Sequence, residues 1–201
     1  YFALHFEPER TTNPDGGVFH DQALALIALR KLLPNEIEIY VKEHPSQFYM
    51  ADRGSRGRSP LFYEFLENIH GIRLAGTNED SLKMIRQSLF VSTISGSVAL
   101  ESAILGKIAL IFGDSWFNDC PNVVNFHPDL TFTDLQEYEI KDSEMITKYL
   151  MNEMDDFTVP GCQNGSTQKR FPQYMNQIFF ENELMGVSHL MEEFLNRDKG
   201  A

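Results

Sequence analysis

The chain has 201 residues, 42% hydrophobic and 23% charged, a composition that suits one globular domain and excludes a disordered or collagen-like chain. Seventeen Lys and Arg against twenty-nine Asp and Glu leave a net charge of −12, which excludes a broad electrostatic surface for nucleic acid or anionic lipid. The longest apolar runs fall far short of the ~20 residues that a membrane-spanning helix needs, so no membrane span is predicted.

Two cysteines, Cys120 and Cys162, are too few for a disulfide framework or a four-cysteine zinc site. We interpret them as free thiols and predict a cytoplasmic protein, either free or peripheral at the inner membrane. The chain opens at Tyr1 in a strand-like run without the pattern of a secretory signal, as expected of a fragment. The histidines lack metal-ligand spacing, so neither a metal nor another cofactor is expected.

Strand-like and helix-like segments alternate as far as Phe112. The predicted strands are Tyr1–Phe6, Ile37–Lys42, Ile72–Ala75, Leu89–Ile94 and Ile108–Phe112. The predicted helices lie between Asp21 and Pro34, over Pro60–Asn68, around Leu82 and Ile85 to Ser88, and over Gly96–Leu105 with Gly106 as its end. This alternation predicts an α/β fold, a Rossmann-like and mainly parallel sheet with helices on both faces.

The remaining segments are interpreted from their Gly, Pro and charge content. Ser46–Ser59, rich in Arg and Gly, is predicted to be a flexible basic surface loop. Further along, we predict a loop over Asp114–Asp129, a helix over Asp134–Met154 and a connection over Asp155–Pro172. An apolar stripe predicts a C-terminal packing helix over Tyr174–Asn196. We expect residues 1–201 to form a single domain.

Ligands of an open parallel sheet bind beyond the carboxyl ends of its strands, near the point where strand order reverses. The predicted loops at that edge are Glu7–His20, His44–Ser46, Ser95–Ser97 and Gly113–Asn118. Ser95, Gly96 and Ser97 join a strand directly to a helix, where unpaired N–H groups, two hydroxyls and the helix dipole favour a phosphate. Capping alone also selects serine before a helix, so an ordinary N-cap is the alternative.

Glu101 lies one turn into the same helix, where it is either a ribose-binding carboxylate or a solvated one. Lys42, His44 and Pro45 leave the second strand at the same edge of the sheet. His44 can donate to a phosphate oxygen and act as an acid toward a phosphate leaving group, because imidazole changes protonation near neutral pH. A histidine hydrogen-bonded within its own loop is the alternative.

The first loop adds a weaker set of candidates. Gly16 and Gly17 either direct backbone N–H groups to a ligand or form a turn and nothing more. Arg10 is either a phosphate partner or a solvated charge. Residue spacing does not decide between these interpretations.

Four segments of the chain carry a resemblance to a known family. They are Tyr1–Glu9, Gly16–Gln22, Tyr40–Gln47 and the run from Ser95–Glu101 through Gly106–Gly113. In this order they resemble the nucleotide-binding half of the capsule polysaccharide synthesis glycosyltransferases, a family that includes the Kdo transferases of bacterial surface polysaccharides. The resemblance ends at Gly113.

The resemblance implies half of a GT-B enzyme, in which two Rossmann-like domains face each other and the C-terminal one holds the nucleotide of the sugar donor. In relatives that use CMP-activated sugars, a His-Pro motif and a Ser or Thr motif hold the CMP. Those motifs fall here on His44, Pro45, Ser95 and Ser97. We therefore predict His44 as catalytic, and the predicted substrate-binding residues are Arg10, Gly16, Gly17, Lys42, Pro45, Ser95, Gly96, Ser97 and Glu101.

The implied partners are a CMP-sugar donor, a glycan acceptor and an N-terminal domain that these residues do not include. That domain would carry the acceptor site and the catalytic carboxylate, so this chain alone is expected to transfer no sugar. Two other classes stay open. One is a UDP-sugar GT-B transferase or a UDP-N-acetylglucosamine 2-epimerase-like enzyme, which share the His-Pro and Ser-Gly placements. The other is a non-catalytic module that keeps the fold without the chemistry.

Overall fold

The computed structural model describes residues 1–8, 12–49 and 51–157. Arg10 and the helix predicted over Tyr174–Asn196 lie outside these residues. The chain divides into two compact units, Tyr1–Thr147 and Lys148–Ala201. The first unit contains the sheet described below, and the single-domain organisation stays a prediction.

Six parallel strands form one sheet in the order β3-β2-β1-β4-β5-β6. Their bounds are Phe2–Ala3 (β1), Ile39–Lys42 (β2), Ile72–Leu74 (β3), Phe90–Thr93 (β4), Ile108–Ile111 (β5) and Val123–Asn125 (β6). Phe2 of the central strand pairs with Val41 on one side and Ser92 on the other. The strand order reverses between β1 and β4, and the predicted Rossmann-like α/β fold is confirmed.

Helices connect these strands. Their bounds are Gln22–Leu32 (α1), Ser46–Tyr49 (α2), Ala51–Gly57 (α3), Pro60–Glu67 (α4), Ser81–Gln87 (α5), Val98–Ile104 (α6), Phe132–Glu137 (α7) and Ser143–Phe157 (α8), with a 3-10 helix over Gly17–His20. The side chains of Asp21 and Ser59 cap α1 and α4, and Gly106 follows α6 at a φ of +71°. Within the described ranges, no helix combines the length and apolarity needed to cross a membrane.

The core lies on both faces of the sheet because side chains alternate along each strand. Ile108, Leu110 and Phe112 belong to the main apolar cluster with residues of α1 and α4. Ala109 and Ile111 are also buried and lie outside that cluster. Right-handed crossovers put α1 and α4 on one face and α5 and α6 on the other, which accounts for both buried sets.

The flexible basic loop predicted over Ser46–Ser59 is wrong, because α2 and α3 occupy most of that segment. Gln47 is buried and exchanges hydrogen bonds with the backbone of Glu7, at 2.8 Å to its N–H and 3.0 Å to its carbonyl. Arg58 is buried as well and forms an ion pair with Glu43. Partners distant in sequence therefore order a segment whose composition is typical of a loop.

Two predictions beyond Gly113 are also corrected. Asp114–Asp129 contains the edge strand β6, and the helix predicted over Asp134–Met154 is two helices, α7 and α8. Asn122 explains the break between the helices. Its N–H donates to the hydroxyl of Tyr138 at 3.0 Å and its side-chain oxygen accepts from the N–H of Lys141 at 2.7 Å, so the chain between α7 and α8 is held in a non-helical path.

Candidate functional site

A cleft of about 590 Å³ lies at the carboxyl ends of β1, β2, β4 and β5, where the strand order reverses. All four predicted loops contribute to it. The predicted site residues that line it are Lys42, His44, Pro45, Ser95, Gly96, Ser97 and Glu101. The sheet thus brings together residues from two motifs that lie some fifty positions apart in the sequence, as the register of β1 between β2 and β4 requires.

Gly16 and Gly17 do not line this cleft, although Asp15 beside them does. Gly16 is buried, and a Cβ there would lie 2.5 Å from the carbonyl oxygen of Thr12. A Cβ on Gly113 would lie 3.0 Å from the Gly16 Cα, so both glycines allow two loops to approach closely. Gly17 is exposed, at a φ of +52°. Their roles in binding stay predictions.

The strand-to-helix turn offers fewer backbone donors than the sequence suggested. The N–H of Ser95 donates to Nε2 of His5 at 3.1 Å, so the prediction that it is unpaired is wrong. The N–H groups of Gly96 and Ser97 have no acceptor among the described residues. The Ser97 side chain makes no capping hydrogen bond, so its hydroxyl is not engaged in the way a plain N-cap would be.

His5, which the sequence did not indicate as a site residue, contacts this turn with its imidazole ring. Its buried Nε2 accepts from Ser95 and lies 3.1 Å from the hydroxyl of Thr93. Burial lowers the pKa of His5 to about 4, and the nearby His44 and Arg58 act in the same direction, so the ring is neutral at pH 7. A Cβ on Gly96 would lie 2.9 Å from the Thr93 hydroxyl oxygen and 3.2 Å from His5 Nε2, so a larger residue there would have to displace these two side chains.

His44 is exposed at the cleft, and its loop fixes which ring nitrogen is available. Nδ1 accepts a hydrogen bond from the N–H of Ser46 at 3.2 Å, and the His44 N–H donates to Oε1 of Glu43 at 2.7 Å. Because a backbone N–H can only donate, the neutral ring in this orientation carries its proton on Nε2. A ligand in the cleft therefore meets a donor at Nε2 without any protonation of the ring.

Lys42 adds a buried cation to the same cleft. Its side chain lines the cleft although the residue is only 7% exposed, and Nζ donates to the hydroxyl of Ser81 at 2.7 Å. No carboxylate of the described residues lies within ion-pair distance of Nζ. Lys42 interacts electrostatically with the exposed Asp80 carboxylate. A buried charge with no carboxylate of the described residues at ion-pair distance is still costly, so this end of the cleft favours an anion.

Tyr1 and Glu101 border the same end. Burial raises the pKa of the Tyr1 hydroxyl, the hydrogen bond with Ser81 lowers it, and the negative charge of Glu101 raises it further. Glu101 is itself exposed in the cleft. Ser81 therefore contacts both Lys42 and Tyr1, which ties the start of α5 to the floor of the cleft.

The sequence also did not indicate the buried polar network that holds the backbone of His44. The Glu43 carboxylate accepts from Arg58 Nε at 2.9 Å and from the Tyr63 hydroxyl at 2.8 Å, besides holding the His44 N–H. Arg58 also donates to the carbonyl of His5 at 2.8 Å. Burial and the Glu43 carboxylate raise the pKa of Tyr63 well above its usual value. This network fixes the positions of both histidines relative to each other.

A second cavity of about 760 Å³ is less suited to a phosphate. Its lining includes Glu36, Glu38 and Glu79 and no Lys, Arg or His. Glu38 is ion-paired with Arg73, but the three carboxylates outnumber this cation and would repel an anionic ligand. In the described part of the chain, no three His, Cys, Asp or Glu side chains are grouped so that they could hold a metal ion.

No protein-family model matches this chain, and no curated protein matches its sequence.

Proposed function

We propose that this chain is the donor-binding half of a GT-B glycosyltransferase of bacterial surface polysaccharide synthesis. It would hold a CMP-activated, Kdo-like sugar and, joined to its N-terminal domain, transfer that sugar to a glycan acceptor in the cytoplasm or at the inner membrane. The observation that carries the proposal is the cleft at the strand-order reversal, which is lined by His44, Ser97 and a buried Lys42 with no carboxylate of the described residues at ion-pair distance.

The phosphate of CMP suits this group of donors. The N–H groups of Gly96 and Ser97, the Ser97 hydroxyl and the Nε2–H of His44 can each donate to a phosphate oxygen. The net charge of −12 disfavours a broad positive surface on this chain. Lys42 supplies a local positive charge in the cleft instead. The anion would therefore be held locally by one cleft.

Glu101 supports a nucleotide rather than inorganic phosphate. It follows Ser97 by one helical turn, with the Glu101 N–H bonded to the Ser97 carbonyl at 3.1 Å. A carboxylate one turn from the phosphate donors can accept hydrogen bonds from the two hydroxyls of a ribose.

His44 would act on the leaving group in the complete enzyme. As the bond between the sugar and the phosphate oxygen breaks, negative charge develops on the departing CMP, and the Nε2–H of His44 would stabilise it or transfer its proton. The base that activates the acceptor is assigned to the N-terminal domain. This chain therefore supplies donor binding and leaving-group stabilisation.

The test is calorimetry of this chain with CMP, UMP, UDP and ADP. We expect CMP to bind most tightly and the chain alone to transfer no sugar. A preference for UDP would favour a UDP-sugar transferase or the epimerase-like alternative. Failure of all four nucleotides to bind would favour the non-catalytic module, and sugar transfer by this chain alone would overturn the two-domain architecture.

A further inference from the structure

The cleft has an aromatic end opposite its cationic end. Trp116 is the single tryptophan of the sequence, lies in the loop after β5 and lines the cleft while its residue surface is 60% exposed. A large aromatic residue with more than half of its surface exposed at a cleft wall can stack on a flat ligand group.

The loop that carries Trp116 is well fixed. The N–H and the hydroxyl of Ser115 both donate to Oδ1 of Asn118 at 2.9 Å, and the N–H of Asp114 donates to the carbonyl of Asp15 at 2.8 Å. Phe117 is buried and meets the indole edge to face, with ring centroids 5.4 Å apart. The ring is thus anchored before any ligand binds, which lowers the entropy lost on stacking.

Charge indicates which part of a nucleotide lies here. Asp114 follows β5 and its N–H is bonded to Asp15, whereas Lys42 and His44 lie at the carboxyl end of β2, and all four line the cleft. Two carboxylates disfavour a phosphate, and a carboxylate can accept from an exocyclic amino group such as that of cytosine. The loops after β2 and β5 are three strand spacings apart, roughly 14 Å, so an extended nucleotide can reach both ends.

We infer that Trp116 is the stacking platform for the nucleobase of the bound nucleotide, with the Asp114 carboxylate beside it favouring a base that carries an amino group. This inference rests on the proposed function and deepens it, because it names the contact that selects the base. The phosphate lies toward Ser97 and His44.

The test uses tryptophan fluorescence, which reports on Trp116 alone, together with calorimetry. CMP and cytidine should change the emission, whereas ribose 5-phosphate, which has no base, should bind without changing it. Trp116→Ala should weaken CMP binding roughly 5- to 150-fold, the range for loss of one base–aromatic stack, and Trp116→Phe should retain most of the affinity. Asp114→Asn should reduce the preference for CMP over UMP.

The matched control is Phe65→Ala, which removes another ring from the surface, 47% exposed and outside the cleft, and should leave CMP affinity unchanged. Circular dichroism and melting temperature establish that each variant is folded. CMP binding of wild-type strength to a folded Trp116→Ala variant would overturn the inference and leave the proposed function standing. An equal emission change with ribose 5-phosphate would also overturn it, by assigning the ring to the sugar or to a loop response. Failure of the wild-type chain to bind CMP would overturn both this inference and the proposed function.

Discussion

Arg58 Nε lies 2.9 Å from Glu43 Oε2, and the side chains of this pair are only 5% and 6% exposed. Glu43 at the same time holds the backbone N–H of His44, and Arg58 holds the carbonyl of His5. A pair that is buried and fully hydrogen-bonded costs little while intact, but loss of one partner leaves the other charge stranded. The stability of the site is therefore coupled to a segment whose sequence resembles a loop.

Arg58→Met should lower the free energy of unfolding by roughly 3 to 5 kcal/mol, because the Glu43 carboxylate stays buried without its cation. Urea unfolding measures this. Arg73 and Glu38 provide the matched control, since this pair is 64% and 42% exposed and Arg73→Met should cost at most about 1 kcal/mol. Similar losses in the two variants would refute the special role of the buried pair.

His5 should make stability depend on pH. Its pKa falls from 6.5 in the unfolded chain to about 4 in the folded protein, so between these values only the unfolded state binds the proton. The contribution of His5 to the free energy of unfolding is therefore complete above pH 6.5. It falls by up to about 3 kcal/mol as the pH falls to about 4. Urea unfolding across this range should show a shallower pH dependence for His5→Gln than for wild type.

His70 is the control for that experiment, since it is exposed and His70→Gln should leave the pH dependence as it is in the wild type. An unchanged slope in His5→Gln would mean that His5 is not the buried neutral group that the geometry requires.

Ser97→Ala should weaken CMP binding by about 1 kcal/mol or somewhat more, as for one hydrogen bond to a charged group, while cytidine affinity and stability change little. Ser59→Ala should do the opposite. Its side chain accepts from the Leu61 N–H at 3.1 Å as an N-cap, so its loss should cost ~1 kcal/mol of stability with no effect on CMP. Calorimetry and thermal unfolding of both variants measure these effects. A Ser97→Ala variant that loses stability but keeps its CMP affinity would show that Ser97 is only an N-cap.

His44→Ala should lower the turnover of the complete enzyme strongly and leave its melting temperature near that of wild type, since contacts made mainly in the transition state act on the rate. In this chain, nitrogen NMR of His44 should show an unprotonated Nδ1, as its hydrogen bond from Ser46 requires. CMP affinity should then persist above neutral pH. A fall in affinity as the histidine loses its charge would instead identify the imidazolium as the donor.

From the sequence alone, Gly96→Val would test whether this turn binds a phosphate. In the structure, the same substitution tests packing. The new side chain would meet Thr93 and His5 before any ligand. We expect the variant to lose stability, measured by urea unfolding, as well as CMP affinity. Wild-type stability would contradict the close contact between Gly96 and His5.

The sequence by itself determined the alternation of strands and helices and, through it, the edge of the sheet where His44 and Ser97 both line the cleft. Periodicity, caps such as Asp21 and the end signal at Gly106 are local, so they can be interpreted without knowing the fold. Only the tertiary structure decided that Ser46–Ser59 is mostly helical, that the Ser95 N–H is bound to His5 and that Lys42 is buried with no described carboxylate at ion-pair distance. These features depend on hydrogen bonds and burial between residues up to 90 positions apart, which exist only once the strands are paired.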